Sequence, residues 1–142
     1  MATSRETARD ALTTLLSSGL SGTVQSVVGH RISDPAGQTP VVGVLSAGSV
    51  RERFTFQGTV PTFYLSIQIL VLAEDATGYT EADAEDKLDT VEAAIAGILE
   101  SNWSTSNWSA LQPGRSDVFD VSIGGHAYLL EVIPVAMKLA KS

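Results

Sequence analysis

Residues 62–73 constrain the fold more than any other stretch of the chain. Phe63, Leu65, Ile67, Ile69, Val71 and Ala73 alternate with Thr62, Tyr64, Ser66 and Gln68. Side chains two apart along a strand share a face, so the pattern demands a strand with one buried side. Leu70 and Leu72 make its second half apolar on both sides, as in a strand interior to a sheet. Such a strand needs cover, and the next segment supplies it. Ala84, Leu88, Val91, Ile95, Ile98 and Leu99 recur at helical spacing between Thr80 and Glu100,. Thr80 is the expected N-cap, with Asp83 at the third helical position.

The flanking segments complete the expected order. Ala8, Ala11, Leu12, Leu15 and Leu16 form the apolar stripe of a first helix, with Thr3 and Glu6 as a capping-box candidate and Gly19 as its stop,. Thr23–Ile32 is β-branched enough for a strand, Asp34-Pro35-Ala36-Gly37 makes a turn, and Val41–Leu45 reads as a second short strand,. Gly48, Gly58 and Pro61 interrupt 47–61, which reads as a strand-like arm or long loop. Ser101–Ser109 is a polar linker carrying Ser-Asn-Trp-Ser twice. Asp117–Ile123 and His126–Leu139 form a hairpin about Gly124-Gly125, and Pro134 belongs at an edge or bulge,. The expected class is α+β: a mixed, mostly antiparallel sheet with two helices packed on one face, in a single domain spanning 1–142, plus the 47–61 arm.

Composition narrows the chemistry. A chain of 142 residues can bury roughly 70% of its unfolded surface in one core,. It has no cysteine, which removes disulfides, thiolate metal sites and cysteine nucleophiles,. The net charge of −7 disfavours nonspecific attraction to nucleic acid or anionic membrane,. That charge is local. Nine acids and one base lie between Glu74 and Glu100, against seven acids and eight bases elsewhere. Glu81 and Asp83 suit the positive end of the helix dipole. Glu85, Asp86, Asp89 and Glu92 are expected on the outward face, where like charges at i+3 and i+4 each cost about 0.2–0.5 kcal/mol. The charged Met1–Asp10 segment does not read as a signal peptide, and Ile69–Ala73 is too short to span a bilayer, so the expected place of synthesis and action is the cytoplasm,.

No catalytic constellation emerges. His30 and His126 have no acid or nucleophile at a recognisable spacing, and solvated or satisfied histidines are the common case,. Acids spread along a helix cover too wide an arc to gather a cation, and Gly124-Gly125 does not open a helix as a phosphate loop would. No cofactor or metal is expected. Trp103 and Trp108 lie just past a helix end, where two large rings either cap the core or meet another subunit,. Arg51, Glu52 and Arg53 on the arm are either solvated or a charged contact to a neighbouring subunit.

Three stretches together resemble the tail terminator and tail completion proteins of long-tailed bacteriophages and prophages. The first is Pro40-Val41-Val42-Gly43-Val44-Leu45, leading into the arm with Gly48, Arg51 and Arg53. The second is the alternating strand Phe63–Leu72 with the helix opening Thr80-Glu81-Ala82-Asp83-Ala84-Glu85-Asp86. The third runs from Val118 through Ile123-Gly124-Gly125 and Tyr128 to Glu131-Val132-Ile133-Pro134-Val135. The family often has a basic residue beside the last strand's aromatic, whereas Ala127 and Leu129 flank Tyr128 here. The resemblance implies a non-enzymatic virion protein of the neck, assembled in the host cytoplasm. It implies a ring, commonly of six copies, on the head-proximal end of the tail tube. Its partners would be the tube protein and the head-side connector or head-closure protein, with DNA passing through the lumen unbound. Another neck or tail component, such as a head-closure or tail-tube protein, is the nearest alternative. A small ligand-binding domain or enzyme is a more distant one.

Overall fold

The computed structural model describes residues 4–55, 58–73 and 78–139. Two helices and six strands follow one another as α1 (Arg5–Gly19), β1 (Ser26–Val28), β2 (Val41–Thr55), β3 (Gly58–Leu72), α2 (Glu81–Ser101), β4 (Ala110–Pro113), β5 (Asp117–Ile123) and β6 (His126–Lys138). The strands form one sheet in the order β1-β2-β3-β6-β4, with β5 also paired to β6. Only β1 and β2 run parallel. The fold is α+β, as the pattern of the sequence requires.

The period-two signal of β3 decides which side is closed. Phe63, Leu65, Ile67, Ile69 and Val71 are buried, in register with Met137, Val135, Ile133, Glu131 and Leu129 of β6. Across β2, Ile69 and Ile67 face Val42 and Val44. Both helices share the hydrophobic cluster with this inner face, through Ala8, Leu12 and Leu16 of α1 and Ala84, Leu88, Val91, Ile95 and Leu99 of α2. Thr80 caps α2 in a reciprocal capping box with Asp83,. At α1 the cap is Ser4, whose Oγ accepts from the Thr7 amide. The Thr3 capping-box candidate lies outside the described residues.

Two segments differ from the expectation, and a third resolves between its two expected forms. The first strand shrinks from 23–32 to Ser26–Val28, because the chain beyond it turns across the other face of the sheet. Of the two forms expected for 47–61, the described part takes the strand and not the loop. It continues β2 and opens β3, and the pairing absorbs its interruptions as register shifts between Ser46 and Gly48 and between Arg53 and Thr55,. Gly48 sits in the first irregularity at φ 146°, a conformation open to glycine,. The polar linker ends in an unforeseen strand, β4.

Pro134 lies within β6, an interior strand, yet removes no ladder bond. Its carbonyl accepts from Gly114, so its imide nitrogen points the same way, into the gap between β4 and β5,. The requirement for a local edge is met inside the sheet.

Candidate assembly surface

The two faces of the sheet are finished differently. Residues 29–40 cover one end of the outer face. The Gly37 amide donates to Tyr128 Oη at 3.0 Å, and the Leu72 amide donates to Thr39 Oγ1 at 2.9 Å. Gly43 permits this approach. A Cβ there would lie 2.8 Å from Ile32 Cγ1 and 3.1 Å from the His30 carbonyl oxygen. Tyr128 and Leu70 are buried beneath this cover.

Nothing among the described residues covers the other end. There Tyr64 is 40% exposed and Val50 is also open to solvent, while Phe119, level with Leu70 on the far strand β5, is 50% exposed. Val50 pairs with Thr62, two residues from Tyr64, and Phe119 pairs with Leu130, so all three sit on the outer face. Between them Tyr64, Ser66, Val132, Pro134 and Ala136 line a groove of about 490 Å³. An antiparallel sheet that simply faced water would carry polar side chains here. A contiguous apolar surface of this kind marks a contact with another macromolecule.

The edges are equally open. β1 pairs with β2 only through Val41, Val42 and Gly43, and among the described residues no strand pairs with that edge beyond Gly43. Among the described residues β5 pairs with β6 on one side alone, and it exposes Val118 and Phe119. By contrast, β4 is partly closed, because its Leu111 amide donates to the Trp103 carbonyl. Unpaired edges are templates for strand addition.

The sequence-selected residues separate within this frame. Trp108 does not remain a subunit contact: it is 1% exposed, and its Nε1–H donates to the Asn102 carbonyl at 2.8 Å. The chain after α2 folds back through bonds from Thr105 to the Trp108 carbonyl and from Leu111 to the Trp103 carbonyl, which drives the second ring into the core. Trp103, from the first copy of the same tetrapeptide, is 61% exposed beside β4. Arg51 lies on β2 with its guanidinium carbon 5.4 Å from the centroid of the Phe63 ring. Glu52 and Arg53 belong to β2 by backbone, and their side chains are outside the described set.

On α2, Glu85, Asp86 and Asp89 are exposed as expected. Glu92 departs from that group. It is half-buried, its Oε2 is enclosed without a hydrogen-bond partner, and it lines a cleft of about 210 Å³ with Ile95, Leu99, Ser116 and Ile133. Opposite α2, Glu131 is the one buried charged residue among those described, at 5% exposure. Burial raises its carboxyl above the usual 4.5. Glu92 and Asp89 add to the rise, and a hydrogen bond with Ser116 opposes it,. Glu131 shares strand parity with Leu129, Ile133 and Val135, and that was the signal in the sequence that it points inward,.

The histidines do not form a reactive site. His30 is exposed with Nδ1 2.9 Å from the Arg31 carbonyl oxygen, and His126 is exposed with its ring edge-on to Tyr128 at 6.2 Å. Among the described residues no three His, Asp or Glu side chains gather as a metal site, and no helix is long and apolar enough to cross a membrane.

No family model matches the chain, and no curated protein matches it. Among solved structures it is similar to a chain from the virion of a native gene transfer agent particle. The identity is 13%, the match covers 94% of this chain and 91% of that chain, and the TM-score is 0.42. A similarity this loose carries no argument about function.

Proposed function

We propose that the chain is a structural assembly protein of a phage neck, in the manner of tail terminators. In this reading, copies form a ring on the head-proximal end of the tail tube, stop its growth and present a surface to the head-side connector or head-closure protein. DNA passes through the lumen without specific binding, and the chain holds no cofactor and performs no catalysis. The observation that carries the reading is the uncovered apolar half of the outer sheet face, flanked by unpaired strand edges. The acids concentrated on α2 lie on an element packed against the opposite, inner face of the sheet, which leaves the groove between Tyr64 and Pro134 lined mainly by apolar side chains,. The sequence resemblance supplies the particular role.

Mixing the protein with growing tail tubes tests it. The expected result is binding at one tube end, seen by electron microscopy, with tube elongation halted. A protein that stays monomeric and never associates with tubes contradicts the ring. Binding along the tube wall favours a different tail component.

A further inference from the structure

We infer that the outer edge of β5 in one copy adds to the unpaired stretch of β2 in the next, joining their sheets head to tail. This rests on the self-assembly reading above and specifies the surface that carries it. Both edges lack a strand partner among the described residues. They belong to opposite sides of one sheet, so their union is heterologous and propagates from copy to copy. β2 and β5 run in opposite directions, since β2, β3, β6 and β5 are linked by successive antiparallel pairings. Rotation about an axis along the strands therefore brings them together antiparallel.

The side chains match when the faces are kept continuous. On the inner face, Arg51 shares strand parity with Phe63 through the Ser49–Phe63 and Arg51–Pro61 pairs, and Asp120 pairs with Leu129. Neither has an ion-pair partner among the described residues. Among the described residues the one salt bridge joins Arg115 and Asp117 at 3.7 Å. On the outer face, Val50 and Phe119 are both exposed and apolar. With Val50 opposite Phe119, a continuous sheet sets two apolar side chains directly together on the outer face and places Arg51 opposite Val118 on the inner one, a diagonal step from Asp120 that a long side chain can reach.

The levels of the two edges add a geometric consequence. β5 lies opposite the part of β6 that faces the β1 end of the sheet, whereas the unpaired stretch of β2 lies toward the hairpin end. Their union staggers successive copies along the strand direction. Strands inclined to the axis of closure are what a sheet needs in order to close on itself.

The test uses the full chain, alone and with tail tubes, and reads assembled mass by sedimentation. Arg51→Glu and Asp120→Arg should each weaken self-association about tenfold or more, equivalent to about 1.4 kcal/mol. The double variant should recover most of that loss. Because the chain has no cysteine, Val50→Cys in one copy and Phe119→Cys in another give a second readout independent of charge. Mixed and oxidised, they should yield the disulfide-linked pair, while neither variant alone does so. Wild-type assembly in both charge variants, or equal cross-linking within either cysteine variant alone, overturns the edge pairing. Rings that form regardless of these changes sink this inference and leave the ring standing. A monomer under all conditions sinks both.

Discussion

The inner and outer faces of the sheet use the same strands and end differently. On the inner face, Phe63, Leu65, Ile67, Ile69 and Val71 meet two helices and are closed from water. On the outer face, residues 29–40 close the end around Tyr128 and leave Val50, Tyr64 and Phe119 open. Burial on one side thus serves folding, and apolar exposure on the other is what the proposed contact with another chain would use. A side chain's chemistry does not distinguish these uses. What distinguishes them is whether the chain itself brings anything to cover it.

The two Ser-Asn-Trp-Ser copies give the sharpest form of this comparison. Trp108→Ala should destabilise the protein by about 3–5 kcal/mol, through the cavity and the lost bond to the Asn102 carbonyl,. Trp103→Ala should stay within about 0.5 kcal/mol, as for other exposed substitutions. Equal losses in a denaturant titration would break the contrast. Within β3, Ile67→Ala should cost about 2–5 kcal/mol, and Tyr64→Ser less than about 1 kcal/mol while reducing self-association. A folding loss at Tyr64 as large as that at Ile67 would mean the outer face belongs to the core.

Smaller effects concern the acids. Glu131 has a folded pKa above its unfolded value, so it favours the folded state fully below the unfolded value of 4.5, and this contribution is lost as pH rises through the raised folded value,. Glu131→Gln should therefore raise the melting temperature at pH 7, with the gain shrinking as pH falls toward 4.5. A lowered melting temperature at pH 7 would contradict the account of this site. Neutralising the exposed Glu85, Asp86 and Asp89 should leave the fold intact or add about 0.2–0.5 kcal/mol for each like-charge pair relieved. A drop in melting temperature would show that these carboxylates have structural partners.

Much of the fold was legible because periodicity is a local signal. The β3 alternation, the α2 stripe and the Thr80–Asp83 box all lie within short windows of sequence. The identity of what covers a face is not local. Gly43 reads as an ordinary strand glycine until His30 and Ile32 come to rest on it, and Gly48 and Pro61 read as breaks until the pairing of β2 with β3 absorbs them. Helical spacing alone set Glu92 among the outward acids, whereas the approach of β6 and the 113–116 segment encloses one of its oxygens. For the same reason two identical tetrapeptides could not be told apart. Their difference arises from the return of the chain into β4.

Amide hydrogen exchange on the free and assembled protein tests most directly the claim that the outer face and its strand edges are the contact surface. The account predicts new protection in β2 beyond Gly43 and in β5, with the exposed acidic side of α2 unchanged. Protection gained on α2, with both edges exchanging as before, would contradict it.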